Sequence, residues 1–206
     1  MLASLPIDKG EIVAIVAAAS FAAGLNVYAT VATLGVLARY QVLPLPPALH
    51  LLESWPVICA AVVLFVIEFF ADKVPYFDMI WNALQTFVRV PIAALLSYGA
   101  TAQLSPGSQI AATALGAAIA LASHGGKTAV RAAVTPSPEP FSNIALSTGE
   151  DLAAIGLTWF ATRHPFIAAG IVAALVAAIV VAVRWVWRAL VRLFRGAELQ
   201  AERLQG

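Results

Sequence analysis

Long apolar runs alternate with short polar or proline-rich breaks along almost the whole chain. Each run is close to the roughly 20 apolar residues that a helix needs to cross the hydrocarbon core of a bilayer. Prolines fall in several of the breaks, where they end a helix because proline cannot continue the hydrogen-bond ladder. The pattern predicts six membrane-spanning helices with the approximate ranges 12–38, 55–72, 77–102, 109–134, 143–162 and 166–183. The predicted fold class is therefore an all-α integral membrane protein, built as a six-span helical bundle.

The polar ends of the chain indicate its domain organisation and orientation. We assign residues 1–10 to a cytoplasmic N-terminal segment, 11–183 to the transmembrane bundle and 184–206 to a basic amphipathic tail. The tail carries closely spaced arginines and two tryptophans suited to the membrane interface: Arg184, Arg188, Arg192, Arg195, Trp185 and Trp187. Because Lys and Arg concentrate in cytoplasmic segments, their distribution predicts a multi-pass protein of the plasma (inner) membrane with both termini cytoplasmic.

Composition supports this class and excludes others. Of 206 residues, 61% are hydrophobic and 11% are charged, whereas a soluble domain has about 25% charged residues. The formal net charge of +1 argues against a nucleic-acid partner, which favours a strongly basic face. Cys59 is the only cysteine, which excludes a disulfide framework and a thiolate metal site. We expect no cofactor and no bound metal.

The first and fourth runs share an unusual feature, because both are long and both contain glycine near the middle. Gly24 interrupts the first run and Gly125-Gly126 the fourth, and the run that follows each of them carries a glutamate, Glu68 or Glu150. Corresponding glycine-interrupted segments are typical of transporters built from inverted repeats. The pattern predicts two inverted three-helix halves, residues 11–103 and 106–183, each with a broken first helix. Coincidental spacing is the alternative, since glycine is frequent in membrane helices.

Polar side chains within the runs form stripes at helical spacing, and lipid offers them no partner. Ionisable groups at membrane depth are costly and are functional candidates by default. The predicted substrate-binding residues are Glu68, Asp72, Glu150, Asp151, Lys127, Arg131, Arg89, Asn26, His124 and Asn143. Structural roles remain open for three of them: Asn26 could bond a neighbouring helix, Arg89 could pair with Glu68 or Asp72, and His124 could satisfy backbone groups.

The balance of charge favours one class of function. In and around the predicted centre, acidic side chains exceed basic ones by two. This favours a small secondary transporter or channel for a cation or proton over one for an anion, although Lys127 and Arg131 after the Gly-Gly pair could bind an anion. The alternatives are a structural or assembly factor and a membrane-embedded enzyme acting on lipid-linked substrates. The enzyme is less favoured, because the sequence has no dense His/Asp metal cluster. Membrane lipid and a small ion or small molecule are the expected partners, and a homo-oligomer stays open.

Three segments, in their order along the chain, resemble a known family. They are AGLNVYATVATLGVLARY, VIEFFADKVPYFDMIWNALQTFVRVP and SHGGKTAVRAAVTPSPEPFSNIALSTGEDLAAIGL. Together they are similar to a bacterial integral-membrane family known as domain of unknown function 4126, from Gly24 to about His164. The resemblance implies an integral membrane protein. It implies no activity, so the expected function depends on the residues alone.

Overall fold

The computed structural model describes residues 8–73, 77–134 and 140–205, and within these ranges every regular element is a helix. The α-helices are α1 Lys9–Leu25, α2 Val27–Arg39, α3 Trp55–Ala71, α4 Phe77–Ala100, α5 Pro106–Val134, α6 Pro140–Arg163 and α7 Pro165–Gln205. A 3₁₀ helix, Pro47–Glu53, precedes α3. The all-α class is confirmed.

Helix α1 lies at the centre of the fold. Asp8 accepts a hydrogen bond from the Gly10 amide (3.0 Å) and Glu11 accepts one from the Asp8 amide (3.3 Å), which forms a capping box at its start. From Ala18 to Gly24 every residue is buried. A helix that is apolar on all sides belongs in the core, and α4, α5, α6 and α7 all pack against this one.

The first predicted span is a helical hairpin. Asn26 has extended backbone angles (φ −151°, ψ 105°), which separate α1 from α2. The predicted break near Gly24 is therefore confirmed, two residues further on. The chain reverses there, because Leu34 of α2 joins Ala19 of α1 in one apolar cluster. Residues 12 and 43 consequently line the same cavity. The prediction that residues 12–38 cross in a single direction is wrong, since the extended residue lets α2 pack back beside α1.

The second predicted break does not occur, because α5 is one helix from Pro106 to Val134. Gly125 faces open space, whereas a Cβ on Gly126 would lie 2.9 Å from the Ile179 side chain. Gly126 therefore allows close contact with α7, at the modest cost that glycine has inside a helix. The prediction of a broken first helix in the second half is wrong. The inverted repeat stays a prediction, with one of its two breaks present.

The helices alternate in direction around α1. Helix α5 runs parallel to it, since Gly116 lies beside Ser20 and Lys127 reaches the carbonyl of Leu25. Helix α4 runs antiparallel to α1, since Arg89 reaches Gly24 while Ser97 lies beside Ser20. Helix α6 is also antiparallel, since Asp151 reaches Asn26 while Ala161 shares an apolar cluster with Ala18. Helix α7 runs parallel to α1, since Phe166 lies beside Gly10 and Val172 shares an apolar cluster with Ala18. We call the end that holds Asp8 and residues 41–54, 101–105 and 164 the amino end, and the end that holds Lys73 and the last turn of α5 the carboxyl end.

By length and apolarity, the described chain has one helix able to cross a membrane, residues 165–189, with a mean hydropathy of 3.0. A second membrane-spanning candidate is present if the helices Pro47–Glu53 and Trp55–Ala71, which meet at a bend of 64°, are counted as one span. Buried polar side chains lower the apolarity of α4 and α5, and reversal at Asn26 shortens α1 and α2. The predicted tail continues α7 without a break.

Candidate functional site

Charged and polar side chains converge on the tip of the α1–α2 hairpin. Arg89 and Asp151 each lie close to the midpoint of a 24-residue helix, α4 and α6. At 1.5 Å per residue this places them roughly 16–18 Å from either helix end. Arg89 is fully buried and Asp151 is 3% exposed. We call this group of side chains the charged cluster, and it consists of Asn26, Glu68, Asp72, Arg89, His124, Lys127, Arg131, Glu150 and Asp151.

Two cations hold the end of α1. The last carbonyls of a helix lack intrahelical partners and carry partial negative charge. Arg89 Nη1 donates to the Gly24 carbonyl (3.2 Å), and Lys127 Nζ donates to the Leu25 carbonyl (3.1 Å). The interrupted backbone at the hairpin tip is thereby satisfied by side chains of α4 and α5, which ties the two helices to the break.

The start of α2 faces a carboxylate instead. Asn26 Oδ1 accepts from the Ala29 amide (2.9 Å) and so caps α2, while Asn26 Nδ2 donates to Asp151 Oδ1 (2.8 Å). A helix N-terminus favours nearby negative charge. The two half-helices therefore present opposite polarity at the tip, with cations beside the end of α1 and an anionic residue beside the start of α2.

The first part of the charged cluster is the pair of Glu68 on α3 and Arg89 on α4, both fully buried. Arg89 Nη1 also donates to His124 Nδ1 (2.9 Å), and His124 Nε2 lies 2.8 Å from Thr86 Oγ1. Because Nδ1 accepts from arginine, this network assigns a neutral imidazole with its proton on Nε2. His124 therefore links α5 to α4 as an uncharged group.

The second part bridges α3, α5 and α6. Lys127 Nζ lies 2.9 Å from Asp72 Oδ2 and 3.2 Å from Glu150 Oε2. Arg131 contacts the same two residues, with its Nη2 3.2 Å from Asp72 Oδ2 and its Nε 3.1 Å from Glu150 Oε2. Arg131 Nη1 also donates to the Asp72 carbonyl (3.1 Å), at the end of α3. Two cations thus share two carboxylates.

Asp151 differs from the other carboxylates. Among the described residues it forms no ion pair, and its Oδ2 atom is buried without a hydrogen-bond partner. The charged groups around it are Lys127, Asp72 and Lys73. Lys73 donates to the Phe69 carbonyl (2.9 Å) and to Ser147 Oγ (3.4 Å) rather than to a carboxylate. The cluster thus holds four carboxylates and three paired cations, and Asp151 is the carboxylate left over.

The structure brings together nine of the ten predicted site residues, leaving Asn143, whose side chain lies outside the described residues. Sequence reasoning missed the carbonyls of Gly24 and Leu25, which a side-chain pattern cannot indicate. It also missed Thr86, although its position between Asn82 and Arg89 on α4 offered a signal. In the part of the chain that the structure describes, no group of three or more His, Cys, Asp or Glu side chains could hold a metal.

A family model matches residues 13–185, which include the hairpin tip and the whole charged cluster. The chain belongs to the DUF4126 family. The resemblance drawn from the three segments is therefore confirmed. Because the family is described as a domain of unknown function, membership implies no activity. No curated protein and no solved structure matches this DUF4126 chain.

Proposed function

We propose that the protein is a small secondary transporter or channel for a proton or small cation, with the charged cluster as its midplane site. One observation carries the proposal, the unpaired carboxylate of Asp151 beside the hairpin tip. A buried carboxylate without a cation is costly unless it binds a proton or a cation. Interrupted helices whose ends face ions are the usual architecture of such sites.

Among the predicted site residues, this proposal gives the central role to Asp151 and not to its neighbour Glu150. Glu150 is held by Arg131 and Lys127 and therefore has the partners of a structural residue. Asp151, on the next position of α6, has one neutral donor, Asn26. Loading a proton or cation on Asp151 changes the charge that faces the start of α2, which couples occupancy to the hairpin.

The proposed topology has five crossing helices, α3 to α7, and one re-entrant hairpin in place of a sixth span. Irregular backbone at membrane depth is tolerated where protein surrounds it, which fits the buried tip. The carboxyl end and the continuation of α7 hold Lys73, Arg184, Arg188, Arg192 and Arg195, against Lys9, Arg39 and Arg163 at the amino end. This distribution supports a cytoplasmic carboxyl end and an external amino end. The proposal therefore differs from the sequence-based prediction that both termini are cytoplasmic.

Flux in proteoliposomes tests the proposal. A pH-sensitive dye inside the vesicles reports proton movement, and external Na⁺ or K⁺ gradients test a metal cation. We expect flux with the unaltered protein and its loss in Asp151→Asn, which keeps the size of the side chain but not its charge. Glu53→Gln, on the 3₁₀ helix at the amino end, is the matched control. Wild-type flux in Asp151→Asn rules Asp151 out as the carrier.

A structural or assembly role is the second candidate, and one observation favours it. Glu68, Asp72 and Glu150 each have a cationic partner, as expected for charges that lock helices together. Under this alternative no ion gradient produces flux, and substitutions in the charged cluster change stability alone. Measuring melting temperature and flux on the same variants separates the two functions.

A further inference from the structure

A cavity lies at the amino end, away from the charged cluster. It encloses about 400 Å³ between α1, α2, α4 and the proline-rich segment 44–47. This volume lies within the range of roughly 300–1,000 Å³ that small-molecule sites occupy. Its walls are mostly aliphatic, including Ile15, Leu34 and Leu96, and none of the described residues that line it is charged.

The polar residues that line the cavity are a pair of buried serines, Ser20 and Ser97, and the exposed Gln103. Ser97 Oγ donates to the Ala93 carbonyl (2.7 Å), which uses its only proton. Ser20 Oγ lies 3.1 Å from Ser97 Oγ and must therefore be the donor of that bond. Both protons are committed, so the lone pairs of Ser20, which lines the cavity, have no donor among the described residues. Gly116 of α5 leaves room for the pair, because a Cβ there would lie 2.8 Å from Ser20 Oγ.

We propose that this cavity binds an uncharged apolar molecule carrying one hydroxyl donor, such as a medium-chain alcohol or a lipid alcohol. The aliphatic walls favour a hydrocarbon body, and the missing charges exclude a carboxylate or an amine. The free acceptors of Ser20 select a hydroxyl over an ether. The site does not depend on the charged cluster, so it is tested independently of the proposed transport.

Photolabelling of the full chain in phosphatidylcholine vesicles tests the site. Three diazirine probes of equal chain length are compared: an alkanol, its methyl ether and the matching carboxylic acid. Mass spectrometry reads labelling at Leu34 and Leu96 in the cavity, and at Val62 and Val63, exposed on α3, as the lipid-facing reference. We expect the alkanol to label the cavity about fivefold more than the ether, the ratio that one net hydrogen bond supplies.

Two serine variants complete the test. Ser20→Ala combined with Ser97→Ala removes both acceptors and is expected to bring the alkanol-to-ether ratio to one. Ser123→Ala is the matched control, since this buried serine bonds the Phe21 carbonyl outside the cavity. Competition by unlabelled alkanol or by diacylglycerol tells a free alcohol from a lipid alcohol. The proposal is overturned if the probes label cavity and lipid-facing residues alike, or if the double variant keeps the ratio.

Discussion

The pair of Glu68 and Arg89 permits a quantitative test of how the charged cluster supports the fold. Changing Arg89 to Leu leaves the carboxylate of Glu68 buried without a cation, since its second oxygen has no partner among the described residues. Breaking a buried pair in this way costs about 3–5 kcal/mol. The Gly24 carbonyl also loses its donor, which adds about 1–3 kcal/mol.

The reverse change is expected to cost less. In Glu68→Leu, Arg89 keeps the Gly24 carbonyl and His124 as acceptors. In the double variant no carboxylate is buried without a cation, so most of the unfolding free energy lost in Arg89→Leu is recovered. The Gly24 carbonyl still lacks its donor. The Arg89→Leu loss is large beside a total stability of about 5–15 kcal/mol.

The assay is reversible unfolding in mixed micelles, followed by helical circular dichroism, on the unaltered chain, both single variants and the double variant. The cycle isolates the coupling between the two side chains. We expect a coupling of about 2–4 kcal/mol, with Arg89→Leu the least stable of the four proteins. Additive single and double effects would refute the buried pair as a stabilising contact.

Three further outcomes follow from the hairpin and its packing. Gly24→Ala is expected to lower unfolding free energy by about 1–3 kcal/mol, because its Cβ would meet Ser123, whereas Gly125→Ala faces open space and stays neutral or stabilises. Equal effects would contradict the close α1–α5 contact. Asn26→Ala is expected to cost about 1–2 kcal/mol through the lost cap of α2, measured by the same unfolding assay; an unchanged midpoint would show that the cap is dispensable. Reporters fused before residue 8 and within residues 43–52 should report one side of the membrane and a reporter after Gly206 the other; opposite sides for the first two would exclude the re-entrant hairpin, and agreement of all three would exclude five crossings.

Local sequence determined the helices and most of their ends. Prolines at 106, 140 and 165 lie at first positions of helices, where the missing amide proton costs nothing. The spacing of His124, Lys127 and Arg131 put one polar face on α5, and that face contacts Arg89, the Leu25 carbonyl at the hairpin tip and the Asp72 carbonyl. Periodicity carries this information because each helix repeats every 3.6 residues whatever surrounds it.

Tertiary packing decided the rest. An asparagine cap starts a new helix at Asn26 but does not say whether that helix continues forward or turns back, and the apolar contacts of α2 made it turn back. The glycines of α5 look like a second break, yet the approach of Ile179 accounts for Gly126 within a continuous helix. Glu150 and Asp151 are adjacent, and their side chains point about 100° apart on a helix. The rotation of α6 against its neighbours brought the cations to Glu150 and left Asp151 facing the hairpin tip, because which side of a helix meets a partner is set by long-range contacts that no local pattern encodes.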